Sequence, residues 1–100
     1  MEVCARRLTE LGGGLVAVRD GAVIGELPLP AAGLMSDRPA SEVAAQLGDL
    51  RAATRSLGVK VRTPFMALSF LGLSVIPSLK ITDRGLVDVD RFSLVPLALP

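Results

Sequence analysis

The stretch LGGGLVAVRDG, Leu11–Gly21, sets three consecutive glycines directly before an apolar run and an Asp-Gly pair. It reads either as a phosphate-cradling loop or as a joint between two elements. Upstream, Cys4, Leu8 and Leu11 fall at i, i+4 and i+7 while Arg6, Arg7 and Glu10 take the other face, which predicts an amphipathic helix over Glu2–Leu11. Downstream, LVAV and AVIGEL are β-type runs joined through Asp20-Gly21, a strong short-range signal for an antiparallel hairpin. The order is therefore helix, glycines, strand. A phosphate loop needs strand, glycines, helix, because the anion sits on the free N–H groups and positive dipole end of the helix that follows. At a helix C-terminus the exposed carbonyls repel phosphate. The glycines thus read as a joint: Gly12 or Gly13 ends the helix in the left-handed conformation, and Gly14 lets the chain reverse closely over the helix end.

Composition narrows the function classes. A chain of 100 residues, 50% hydrophobic, has room for one core, so residues 1–100 are expected to form a single small domain. A net charge of +1 offers no broad basic field for nucleic acid or an anionic membrane, and Phe65, Phe70 and Phe92 are the only aromatic side chains. Neither nucleic acid nor membrane is expected as a partner. Cys4 is the single cysteine, which excludes an intrachain disulfide and a Cys-rich zinc site and fits a reduced, cytoplasmic location. The N-terminal MEVCARRLTE lacks the apolar core of a signal peptide. The uncharged stretch Thr63–Leu79 approaches the length of a membrane span, but Pro64, Gly72 and Pro77 interrupt it and three serines make it more polar.

Histidine is absent. Histidine is the usual general base near neutral pH and the commonest ligand of catalytic zinc, so no self-contained metallohydrolase site can be assembled in the usual way, and no catalytic or metal-binding residue is assigned. Asp83, Asp88 and Asp90 lie close together in ITDRGLVDVDRF, a spacing open to carboxylate-only chemistry. Interrupted by Arg84, Gly85 and Arg91, they read more simply as a solvated turn followed by a capped segment.

The remaining elements follow from periodicity and from breakers. Pro28 and Pro30 remove backbone donors and stop the second hairpin strand, leaving a loop through Gly33 to Asp37. Val43, Leu47, Leu50, Thr54 and Leu57 recur at helical spacing, predicting a helix over Ala40–Leu57 with Gly58 as its C-terminal cap. VKVRT alternates like a short strand. Phe65–Leu73, almost continuously apolar and flanked by Pro64 and Pro77, reads as a strand buried on both faces, with a short buried helix as the alternative. SLKIT before the Asp83-Arg84-Gly85 turn, and FSLVPLAL running to Pro100, supply further strands. The fold class expected is α/β in the broad sense (α+β), with a mixed or antiparallel sheet, an N-terminal β-hairpin, and two helices packed on the sheet.

The candidate contact site lies in GLMSDRP, Gly33–Pro39, just ahead of the second helix. Ser36 or Asp37 suits the cap of that helix, whose first-turn N–H groups need acceptors. The same loop can present Met35, Ser36 and Asp37 to a ligand or a neighbouring domain.

Taken together, LGGGLVAV, ELPLPAAGLMSDRPASEVA, PFMALSFLGLSVIPSLKITDRGLVDV and FSLVPLAL resemble the carboxy-terminal domain of bacterial adenine deaminase, a member of the amidohydrolase superfamily. The resemblance implies a parent reaction in purine salvage, adenine plus water giving hypoxanthine and ammonia. It implies that the chemistry belongs to an upstream metal-bearing (β/α)-barrel, in which divalent manganese, iron or zinc activates water. That barrel is the partner expected for this chain. The family's domain also starts earlier, with a histidine-containing segment and a strand, so the chain is expected to be partial at its N-terminal end; a first helix that begins at Met1 with no capping residue points the same way.

Two functional classes follow. One is a non-catalytic carboxy-terminal piece of the enzyme. The other is a stand-alone α/β module that binds a protein or self-associates through apolar surface needing cover. A missing first strand would bare a sheet edge and favour a homo-oligomer.

Overall fold

The computed structural model describes residues 1–98, which divide into two compact units, Met1–Arg62 and Thr63 onward. The fold class is α+β: three helices and two antiparallel sheets, of two and three strands.

The first unit opens with α1 (Glu2–Leu11), where Glu2 sits in the first turn and Gly12 closes the helix at φ 73°. The Gly12 N–H donates to Thr9 O at 3.2 Å and the Gly13 N–H to Leu8 O at 3.0 Å, the paired bonds of a Schellman ending. Strands β1 (Gly14–Arg19) and β2 (Ala22–Pro28) then pair antiparallel, from Gly14 opposite Pro28 to Arg19 opposite Ala22. Asp20 and Gly21, at φ 50° and 80°, make the tight turn between them. Ala17 faces Gly25 while Val18 faces Val23, so Ile24 is the extra residue of a β-bulge.

Helix α2 (Ala40–Ser56) packs on this hairpin. Gly25 permits the approach: a Cβ there would stand 3.0 Å from Leu50 Cδ1 and 3.2 Å from the Ala53 Cβ. Leu50 is wholly buried at that contact, with Ala17, Leu27 and Thr54 completing the unit's core. The Thr54 hydroxyl is satisfied by donating to Arg51 O at 2.9 Å. At its far end α2 repeats the ending of α1, with Gly58 at φ 87° donating to Arg55 O at 2.9 Å and Val59 donating to Thr54 O. Arg19, leaving β1, donates to the Ser56 carbonyl and to Ser56 Oγ, placing a cation at the negative end of the α2 dipole.

Two sequence expectations fail in this unit. Neither Ser36 nor Asp37 caps α2: Pro39 holds the N-cap position at φ −54° and ψ 142°, with no side-chain cap bond. Pro39 itself is extended at ψ 142°, so the helix starts after it and Ser36 and Asp37 lie three and two residues ahead of the cap position. VKVRT forms no strand either; it runs as irregular chain after the Val59 N–H closes α2.

The second unit begins with α3 (Pro64–Gly72), a helix where the sequence favoured a strand. Its residues PFMALSFLG include no β-branched side chain, and Pro64 stands at the first helical turn, where its fixed φ helps and its missing N–H costs nothing. A continuous apolar run carries no period, so branching and the proline's place decided the outcome. A meander follows: β3 (Leu79–Thr82), β4 (Gly85–Asp88) and β5 (Ser93–Val95), paired antiparallel in that order. Strand β4 replaces the capped segment read after the Asp83 turn; Thr82 faces Gly85 and Leu79 faces Asp88. Strand β5 stops at Val95, because Pro96 has no N–H to continue the ladder. The end of the strand expected to reach Pro100 lies outside the described residues.

Candidate functional site

The two glycine-bearing stretches singled out in the sequence meet in the first unit. Beyond β2, the Leu29 N–H donates to Gly13 O at 3.1 Å, tying the outgoing chain to the triple glycine. The chain then folds into a turn over Ala31–Met35. Leu34 N–H and Met35 N–H both donate to Ala31 O at 3.1 Å, and Ala31 N–H donates to Met35 O at the same distance. Ala32 and Gly33 occupy the left-handed region at φ 57° and 73°. Ala32 does so with a Cβ, a costly conformation for a non-glycine residue.

This turn rests on Gly13. A Cβ on Gly13 would fall 2.5 Å from Gly33 Cα and 3.3 Å from Leu29 O, so the contact is glycine backbone on glycine backbone. Gly14 is pressed as closely against β2, where a Cβ would approach Leu27 O and stand 3.2 Å from Leu29 N. From this seat Leu34 and Met35 project with 78% and 64% of their surface exposed. Ser36 is half-buried and its Oγ accepts the Arg38 N–H at 3.2 Å, while Asp37 is exposed. Met35, Ser36 and Asp37 therefore stand together as an apolar tip beside one hydroxyl and one carboxylate. Such a group can pack against apolar surface and hydrogen-bond.

An ion pair that the sequence did not point to holds α1 onto the hairpin. Arg7 Nε donates to Glu26 Oε2 at 2.7 Å and Arg7 Nη2 to Glu26 Oε1 at 2.8 Å, a bidentate fork, while Nη1 reaches Glu10 at 2.9 Å. The guanidinium hydrogen bonds hold the Glu26 carboxyl below its ordinary range against a smaller upward push from burial. The same bonds raise Arg7 above its ordinary value. Opposite charges nineteen residues apart carry no local signature.

The acidic residues of the second unit do not converge. Asp88 is engaged locally, its Oδ1 accepting the Arg91 N–H at 3.0 Å. Among the described residues no three His, Cys, Asp or Glu side chains come together, so the donor set of a divalent metal centre is not assembled from them. Two open hollows lie in this unit: one of about 530 Å³ beside Thr82, Asp83, Arg84 and Phe92, the other of about 440 Å³ lined mainly by Leu79, Leu86, Val95 and Leu97. Among the described residues no helix is long and apolar enough to cross a membrane.

The fold class is α+β, and a family model described as the adenine deaminase C-terminal domain matches residues 1–93. The chain belongs to that family. It is similar to an adenine deaminase of Oleidesulfovibrio alaskensis, 53% identical over 97 residues that make up 97% of this chain and 17% of the relative. It is 57% identical to an adenine deaminase of Brucella anthropi over 91 residues, 91% of this chain and 16% of the relative. To adenine deaminase 2 of Carboxydothermus hydrogenoformans it is 57% identical over 93 residues, 92% of this chain and 16% of the relative. The chain thus spans about a sixth of the length of the curated relatives it matches.

Proposed function

We propose that this chain serves as the non-catalytic carboxy-terminal part of an adenine deaminase, residues 1–100 acting as one functional piece beside a separate catalytic portion. The reading rests on identity of 53–57% to adenine deaminases along nearly the whole chain, matched to only 16–17% of their length. The parent reaction is adenine plus water to hypoxanthine and ammonia, carried out in the cytoplasm. The residues of this chain do not suit a catalytic divalent metal, since histidine is lacking and, among the described residues, no three Cys, Asp or Glu side chains come together. Manganese, iron or zinc is held by the catalytic barrel. This chain's work is to pack on that barrel and to present Met35, Ser36 and Asp37 toward it.

The test has two arms: adenine deamination by the purified chain with added manganese or iron, and by a chimera in which the chain replaces the matching segment of the Oleidesulfovibrio enzyme. The chain alone should be inactive and the chimera active. Robust turnover by the isolated chain, or a dead chimera beside an active parent, would overturn the proposal. A second reading, a self-associating module without enzymatic activity, is favoured by the exposed Met66, Leu68 and Leu71 of α3. Size-exclusion chromatography separates the two, since a clean monomer argues against self-association.

A further inference from the structure

We infer that the Gly13–Gly33 contact is an aiming device, and that Gly13 is a positioning residue for the parent's deamination reaction, acting through the Leu34–Asp37 tip. The inference rests on the reading that this tip faces the catalytic portion. Three observations carry it. The tip is held rigidly, by the paired bonds between Ala31 and Met35 and by the Leu29 N–H bond to Gly13 O. It is held at a cost, because Ala32 keeps φ 57° and both large apolar side chains at the apex stay in water. Leu34, Met35 and Asp37 take no part in the core of their own unit, whose buried residues Ala17, Leu27, Leu50 and Thr54 lie on the hairpin and α2. A strained, exposed and pre-ordered apolar turn is what a docking contact requires, since little conformational freedom remains to be lost on association. The occupant is protein surface of the catalytic portion, with apolar area for Leu34 and Met35 and a hydrogen-bonding group for Asp37.

Gly12 supplies an internal control. Gly12 and Gly13 both have positive φ, but a Cβ on Gly12 meets nothing within 4 Å, whereas one on Gly13 strikes Gly33. Gly12→Ala therefore introduces backbone strain alone, and Gly13→Ala introduces strain together with displacement of the turn. In the active chimera, Gly12→Ala should leave kcat/KM within about twofold, while Gly13→Ala should lower kcat and kcat/KM together by about 10- to 100-fold, the range that small misplacement causes. Both are measured well below the Tm of each variant, so loss of folded protein does not enter.

A second variant covers the case in which Gly13→Ala does not fold. The double change Leu34→Ser with Met35→Ser alters side chains that are exposed in the isolated chain and should keep that chain's Tm while lowering the chimera's kcat by about tenfold or more. Equal kinetics for Gly12→Ala and Gly13→Ala overturns the aiming role, even where the chimera's activity upholds the proposed function. Unchanged kinetics in the double variant overturns it too. A dead chimera removes the proposed function first and this inference with it.

Discussion

The two units treat apolar residues in opposite ways. In Met1–Arg62, helix α2 lies on the hairpin at Gly25, and Leu50 loses all of its accessible surface there. In Thr63 onward, only Val89 and Pro64 are buried among the described residues, while Leu68, Leu71, Val75 and Ile81 remain 58–78% exposed. Helix α3 carries no charged residue yet lacks a comparable partner face within its own unit. A long amphipathic helix can cover a hairpin by itself; a nine-residue helix and three strands of three or four residues cannot enclose side chains of that size. Hydrophobic composition alone does not make a core, because burial needs two faces of matching extent.

The comparison can be tested first where the effect is greatest. Leu50→Ala removes a wholly buried large side chain and should destabilise the first unit by about 2–5 kcal/mol, read from urea or guanidinium unfolding. A loss below about 1 kcal/mol would mean that this unit has no more of a core than the second.

The Arg7–Glu26 fork gives a smaller, pH-dependent effect. Because Glu26 is held below its ordinary value of 4.5, its contribution is complete above that value and disappears as the pH falls below it through the folded-state value. Acid unfolding of the unsubstituted chain should therefore steepen below the ordinary carboxylate value, and Glu26→Gln should flatten that limb while leaving the pH dependence near neutrality unchanged. Identical acid limbs would remove the fork from the account of how α1 is held.

The smallest effect belongs to the exposed residues. Ile81→Thr and Leu71→Ser should each shift stability by no more than about 0.5 kcal/mol, as surface substitutions do. Either change should weaken binding to a separately purified catalytic portion or reduce self-association. A large stability loss from Leu71→Ser would show that α3 is packed in solution after all.

Much of the first unit was legible in its residues. The 3.6-residue spacing of Val43, Leu47, Leu50 and Thr54, the Asp20-Gly21 turn and the helix-closing Gly12 and Gly58 are local signals, each acting within a few residues of itself. Where the pattern has no period, local signals do not decide: Phe65–Leu73 reads as a buried strand but is helix, and β4 lies in four residues ending in an acid. Met35, Ser36 and Asp37 are contact candidates by their place before a helix, but neither Ser36 nor Asp37 caps it, because Pro39 itself holds the N-cap position in an extended conformation.

By itself, then, the sequence determined the elements that local periodicity and turn chemistry specify, together with the family, which 93 matched residues carry. Only the tertiary structure decided that Gly13 meets Gly33, that Arg7 reaches Glu26, and which leucines are covered. Those contacts join residues about twenty or more positions apart. They depend on how closely two backbones approach once the hairpin has closed, a distance that no periodicity along the chain encodes.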